Sequence, residues 1–280
     1  MMTLTNYHSH CVFCDGRASM EDFVKFAVAK GLRAYGVSSH APVPFANNWS
    51  MKYDDLDEYM QEFFRLREKY SEIIELYLGL EVDYIPEVAS VNDPEIKRRK
   101  FDYLIGSVHH LGVLEDGVQW NIDGSFKVFK KGLDQIFHGD VFKAVKEFYA
   151  ITCEMLHIGG FDIIGHFDKV ALNASFIDGF SISDKWYNDL MEETLELIKE
   201  KGVIVEINTK SLARNGVTFP NFKHLKRIKE RDIPVMVNSD CHYPDNVIAD
   251  FGVVYDKLKE CGFKSTVALL GGKWTEVPVL

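Results

Sequence analysis

The chain is short of several things, and each shortage excludes something. Positive charge is scarce: 32 lysines and arginines stand against 42 aspartates and glutamates, a formal net charge of −10 in 280 residues. So acidic a protein has no electrostatic footprint for nucleic acid. Its dense basic run, Lys97-Arg98-Arg99-Lys100, follows Asp93-Pro94-Glu95 and reads as a solvated helix end. Cysteine is limited to five residues without framework spacing, which argues for reduced thiols and a cytoplasmic home. Cys11-Val12-Phe13-Cys14 fits a redox C-x-x-C pattern, but Asp15-Gly16 continues a loop where a thioredoxin-like site would start a helix. No apolar run reaches the ~18 residues of a membrane span, and the first residues lack the basic-then-apolar order of a signal peptide. Low-complexity segments, linkers and short repeats are also missing. One domain over residues 1–280 is expected, without nucleic-acid or membrane partners; the oligomeric state leaves no trace in the sequence.

What is present is ordinary core-forming material, 46% hydrophobic and 26% charged, arranged as short apolar runs alternating with longer amphipathic stretches. Strands are predicted at Thr3 to Tyr7, Ala34 to Ser38, Ile74 to Val82, Asp102 to Val108, Asp162 to Gly165, Val203 to Ile207 and Pro234 to Val237. A further strand is expected near Thr266 to Leu270. Helices are predicted at Met20 to Lys30, Asp54 to Tyr70, Val141 to Ile158, Lys185 to Lys201, Asn221 to Arg231 and Asn246 to Cys261. Such alternation favours an α/β fold with a parallel sheet, closed as a TIM-barrel-like barrel. Leu114 to Gly139, rich in glycine and aromatics, fits the alternation poorly and reads as a lid or an irregular insertion.

Metal-ligand side chains fall where these strands end. His8-Ser9-His10 follows the first; residues i and i+2 of a strand share a face, so the two imidazoles can meet one ion. His40, Glu81, His109, His166 and the pair Asp240 and His242 each close or follow a later apolar run. A lone histidine after a strand is more often a hydrogen-bonded structural residue, and a lone Glu81 more often an ion-pair partner. Ligand types at one end of six strands are hard to obtain by chance, and that rim is where barrel active sites form. Imidazole with carboxylate and no thiolate suits Zn, Mn or Fe. The ligands outnumber what one ion takes, so two or three divalent ions are implied, with Glu81 able to bridge. His110, the neighbour of His109, and His138, His157 and His224 fall in loops or helices and read as structural.

These residues in order resemble the polymerase and histidinol phosphatase (PHP) family, and within it the histidinol-phosphate phosphatase branch. The resemblance rests on His8-Ser9-His10, Cys14-Asp15-Gly16, Gly36-Val37-Ser38-Ser39-His40, Gly79-Leu80-Glu81-Val82-Asp83-Tyr84, Gly106-Ser107-Val108-His109, Phe161 to His166, Glu206-Ile207-Asn208-Thr209 and Ser239-Asp240-Cys241-His242, and covers nearly the whole chain. It implies a distorted (β/α)7 barrel with a trinuclear metal centre. One ion would take His8, His10, Glu81 and Asp240; a second would share Glu81 and add His109 and His166; a third would take Asp15, His40 and His242. Some branches carry histidine in place of Asp15, and Asp-Gly is also a common turn.

The reaction so implied is hydrolysis of L-histidinol phosphate, as in histidine biosynthesis, with Asp240 or His242 as general acid beside Glu81. Arg17, Arg214 and Asn208 are candidates for binding the substrate, and Glu115 or Asp83 for its amine or ring. Three other readings compete. Another small phosphate ester, such as a nucleotide, would fit the same site. An amidohydrolase-type C–N hydrolase shares His-x-His and a late Asp, but it often has a bridging lysine where Glu81 stands here. A non-catalytic or polymerase-associated metal module would not need so full a ligand set.

Overall fold

Seven apolar runs pair in chain order into one parallel sheet: β1 (Thr5–Asn6), β2 (Ala34–Val37), β3 (Glu75–Asp83), β4 (Tyr103–Ser107), β5 (Ile163–Ile164), β6 (Ile204–Asn208) and β7 (Val235–Asn238). The computed structural model describes residues 3–279. The strands run parallel because a crossover segment returns the chain to the same end each time. Register is set by pairs such as Ala34–Glu75, Glu81–Ile105 and Glu206–Met236. The outer strands then meet. Ser9 bridges Cys241 in parallel, and the His10 amide donates to the Cys241 carbonyl at 2.9 Å. The result is a distorted (β/α)7 barrel with a thin seam.

Helices cover the outside. Met20–Ala29, Leu56–Lys69, Val141–Ile158, Lys185–Lys201, Leu225–Glu230 and Phe251–Glu260 each follow a strand. Their bounds follow local chemistry. Ser19 caps the first, its Oγ accepting from the Asp22 amide, and Gly202 in the left-handed region stops the Lys185–Lys201 helix. Phe23, Tyr59, Phe63, Leu66, Val145, Phe148, Leu195 and Ile198 turn onto the sheet and are buried. At roughly 1.5–3 kcal/mol for each large side chain removed from water, this layer supplies most of the driving force. After β3 the helix shrinks to one turn, Pro94–Lys97, which is part of the distortion. Among the described residues no helix is long and apolar enough to cross a membrane.

Two segments differ from expectation. The strand Ser265–Leu270 forms but stays outside the barrel, pairing antiparallel with Lys273–Pro278. Gly271 and Gly272, both at positive φ, reverse the chain at once, so no crossover exists to make it parallel. This hairpin closes the barrel floor, where Tyr103 fills the interior because Gly36 and Gly79 leave it room: an added Cβ at either glycine would lie 2.3 Å from the tyrosine ring or hydroxyl. The poorly fitting segment after β4 is ordered. It forms a hairpin, His110–Val113 with Gln119–Asn121, then the helix Phe126–Phe137. Buried Trp120 pins the two together against Phe129 and Phe137.

Candidate metal centre

The strand ends bring their polar residues to one rim. His8 and His10 leave β1, His40 follows β2, Glu81 lies within β3, His109 follows β4, His166 follows β5, and Asp240 and His242 follow β7. His8, His10, Glu81, His166 and Asp240 are at most 2% exposed. Their reactive atoms converge. His8 Nε2 lies 3.2 Å from Glu81 Oε2, His10 Nε2 3.1 Å from Asp240 Oδ1, and His40 Nδ1 3.0 Å from Glu81 Oε2. On the other side of Glu81, His166 Nε2 is 2.9 Å from Oε1 and 3.2 Å from His109 Nε2. Asp15 joins from the loop after β1, with His242 Nε2 at 3.2 Å and His40 Nε2 at 3.9 Å. His166 and Asp240 hold left-handed backbone, φ 25° and 48°, a strained geometry that is kept where a side chain must be aimed.

Several imidazoles are held by their far nitrogen. His8 Nδ1 donates to Glu206 at 2.6 Å and His109 Nδ1 to Asp83 at 2.5 Å. His242 Nδ1 lies 3.1 Å from the Asp240 carbonyl, and His10 Nδ1 lies 3.6 Å from Cys14 Sγ. For His8 and His109 this orients the ring and turns Nε2 toward the cluster, as in protein metal sites. Burial opposes charge on His8, but Glu206, Glu81 and Asp240 raise its pKa well above the ordinary value, so a bound cation would displace its proton. Glu81 is itself held by the Ser107 hydroxyl at 2.7 Å. Burial would raise the Glu81 carboxyl, but His8, His40 and His109 hold it well below the usual carboxylate range. Burial and Lys169 push His166 down to about 4. Burial with His242 and His40 also holds His10 low. Both shifts favour the neutral ring, the form that can ligate a cation.

This donor set suits divalent cations. Buried His8 Nε2, His10 Nε2, Asp15 Oδ1 and Glu81 Oε2 have no hydrogen-bond partner. Orphaned polar atoms that converge in a low-dielectric site are costly unless a cation satisfies them. Groups whose ligand atoms lie within 4.8 Å of one another are His8–His10–Glu81, His40–Glu81–His109, His8–His166–Asp240 and His10–Asp15–His40–His242. The groups share members, so the expected ligands form one continuous cluster.

The remaining candidates scatter. Arg17 is exposed, and its amide donates to the His242 carbonyl. Asn208 is buried beneath the cluster, donating to Glu206 at 3.0 Å and to Asp240 at 3.1 Å. Arg214 lines a cavity of about 470 Å³ that opens beside the cluster, together with Asp123, Phe126, Lys169, Phe176 and Lys210. Lys210 Nζ reaches Asp240 at 3.0 Å. Sequence reasoning passed over both lysines, and also Glu206 as the anchor of His8. Period-two alternation could have found two anchors: Asp83 shares a strand face with Glu81, and Glu206 shares one with Asn208. Nothing in the sequence marks the lysines, which fall in the turns that follow β5 and β6.

A parallel barrel whose rim gathers imidazoles and carboxylates in this way belongs to the class of metal-binding α/β barrels. The family model described as "PHP domain" matches residues 6–210, so the chain belongs to the PHP domain family. It is 25% identical over 266 residues to "Probable histidinol-phosphatase" of Deinococcus radiodurans, covering 94% of this chain and 95% of that one. The protein of the same name from Schizosaccharomyces pombe is 26% identical over 277 residues, 92% and 87% of the two chains. In fold it is similar to the histidinol phosphate phosphatase of Lactococcus lactis, crystallised with zinc, L-histidinol and phosphate. That match has a TM-score of 0.75 and 20% identity, over 98% of this chain and 100% of that one.

Proposed function

We propose that this chain is a cytoplasmic, metal-dependent phosphomonoesterase that hydrolyses L-histidinol phosphate to L-histidinol and phosphate, a histidine-biosynthetic step, with residues 1–280 acting as one PHP-type domain. The observation that carries the reading is the buried convergence of orphaned Nε2 and carboxylate atoms on Glu81. The names of the relatives, and the zinc, L-histidinol and phosphate of the Lactococcus enzyme, supply the substrate.

Two or three divalent ions (Zn, Mn or Fe) would be held by His8, His10, Asp15, His40, Glu81, His109, His166, Asp240 and His242. When bound, they supply a water acidic enough to attack phosphorus and positive charge for the phosphate oxygens. The chain's own residues do the rest. Glu81 faces both halves of the cluster and ties them together. Glu206 and Asp83 orient His8 and His109 with Nε2 toward the cluster. Lys210 and Lys169 line the cavity beside the rim together with Arg214, and their ammonium groups would meet a phosphate ester held there. The departing alkoxide is a poor leaving group that needs a proton. Of the two candidates, His242 can carry one, whereas Lys210, His8 and His10 hold Asp240 ionised against the effect of its burial. Another small phosphate ester is the second reading, since the cluster itself recognises phosphate alone. Purified protein loaded in turn with Zn, Mn and Fe is assayed against histidinol phosphate and a panel of nucleotides and sugar phosphates. Histidinol phosphate is expected to lead in kcat/KM by a wide margin; a nucleotide in the lead refutes the assignment.

A further inference from the structure

A carboxylate in a cavity made for a dianion needs a reason. Asp123 lines the wall of the cavity that holds Lys169, Lys210 and Arg214, and its Oδ2 lies 2.7 Å from the buried Lys169 Nζ. Facing an incoming phosphate it is repulsive, and it draws off part of the charge of Lys169. Yet the turn that carries it is held firmly. Asn121 Oδ1 accepts from the Asp123 amide at 2.7 Å. Buried Asn173 donates to the Ile122 and Gly124 carbonyls, on either side of Asp123, at 2.9 and 3.1 Å. Behind the turn, Trp120 and the helix Phe126–Phe137 anchor the insertion. The insertion that broke the strand–helix alternation therefore acts as a rigid mount for a carboxylate beside the reaction centre.

Resting on the histidinol-phosphatase reading above, we propose that Asp123 is the specificity residue that binds the ammonium group of the substrate. The amine of histidinol phosphate lies on the carbon next to the one bearing the ester oxygen. Lys210 lines this cavity and contacts Asp240 on the rim, so a phosphate held beside them carries the neighbouring ammonium toward the cavity wall. An ionised carboxylate has lone pairs for more than one cation. Asp123 can keep Lys169 in place and still accept from the ammonium, while the phosphate draws on Lys169 and Lys210. A phosphate ester with no positive charge meets Asp123 as repulsion alone, so one residue both favours the zwitterion and disfavours simple anionic esters.

The test compares histidinol phosphate with imidazolylpropyl phosphate, the same ester without the amine, on metal-loaded wild type, Asp123→Asn and Asp123→Glu. A charge-assisted hydrogen bond at this position gives the wild type a preference in kcat/KM of about tenfold to a hundredfold for the amine-bearing ester. Asp123→Asn is expected to collapse that ratio, and Asp123→Glu to retain part of it. Equal losses on both esters would show a role confined to Lys169 and overturn the proposal. So would a wild type that does not distinguish the two, although the phosphatase reading would stand. If the wild type releases phosphate from neither ester but does so from a nucleotide, the substrate reading falls, and the proposal with it.

Discussion

The two ends of this barrel are built from the same seven strands and both contain a cavity, yet one reads as a site and the other does not. At the floor, a cavity of about 330 Å³ lies between the strands and the C-terminal hairpin, lined by Ile204, Pro234, Val267 and Trp274 together with Asp162, Lys201, Thr275 and Glu276. Asp162 accepts from the Leu104 amide at 2.9 Å, Thr275 donates to the Lys273 carbonyl at 3.2 Å and Glu276 accepts from the Ser265 hydroxyl at 2.9 Å, and the tyrosines above the hairpin are paired as well. Tyr7 OH donates to the Leu269 carbonyl at 2.8 Å and accepts from the Leu269 amide at 2.9 Å, and Tyr103 OH donates to the Tyr7 carbonyl at 2.6 Å. At the rim, one residue beyond Tyr7, His8 begins a set of buried atoms left without partners. The difference lies in satisfaction, not in size. A finished hydrogen-bond network holds structure, whereas an unfinished one that converges waits for a ligand.

Five substitutions test this contrast. The largest effect is expected at the centre of the rim. Glu81→Ala removes a carboxylate that faces His8, His40, His109 and His166. It should cut turnover by on the order of a thousandfold or more, with bound metal lost and a cooperative unfolding transition kept at the midpoint of the metal-free wild type. Assays with metal analysis and calorimetry would check this, and an active, metal-replete variant would remove Glu81 from the bridging role. Next comes the floor. Leu269→Ala should cost about 2–5 kcal/mol of stability while metal content per folded chain stays as in the wild type; denaturant unfolding beside metal analysis separates the two. A floor variant that sheds metal would mean that the ends are coupled.

Smaller effects are expected one layer out. Glu206→Gln and Asp83→Asn leave the ligands in place but loosen His8 and His109. Each should cost about 10–100-fold in metal affinity or activity, read from chelator competition. Smallest is a control outside both ends. His224 is buried against Tyr187, with its Nε2 orphaned but no converging partners among the described residues. Burial, helped by Arg227 and Lys223, lowers its pKa to about 4. The folded state therefore binds fewer protons than the unfolded chain, whose imidazole titrates near the ordinary ~6.5. The stability it contributes is complete above that value and is lost as pH falls toward the folded pKa. Between pH 7 and pH 5 the loss should be roughly 1–2 kcal/mol. His224→Asn should flatten the profile, and an unchanged slope would assign the acid sensitivity to other groups.

How much of this was legible in the sequence depended on the period of the signal. The ligands at the strand ends could be read because each follows a buried, apolar parallel strand with no competing pattern, as Ile163-Ile164 precedes His166. The long helices were legible for the same reason, Val141–Ile158 to the residue. Anchors such as Glu206 were harder: a carboxylate inside an apolar strand shows no partner until β1 and β6 face each other across the barrel. The cavity wall was hardest. Asp123, Lys169 and Lys210 come from three crossovers, and only the closed barrel brings them together. The strand Ser265–Leu270 was recognised as a strand, but its place under the floor is set by the immediate turn at Gly271-Gly272.

On the proposed function, the orphaned atoms of the rim are those of a hydrolytic metal centre for histidinol phosphate. The most direct test is metal stoichiometry measured on the same sample as phosphate release from that ester, before chelation, after it and after metal is restored. The expected result is two or three divalent ions per chain, with release abolished by chelation and recovered on reloading. Chains that release phosphate equally well without metal, or that bind the ions and leave histidinol phosphate intact, would contradict it.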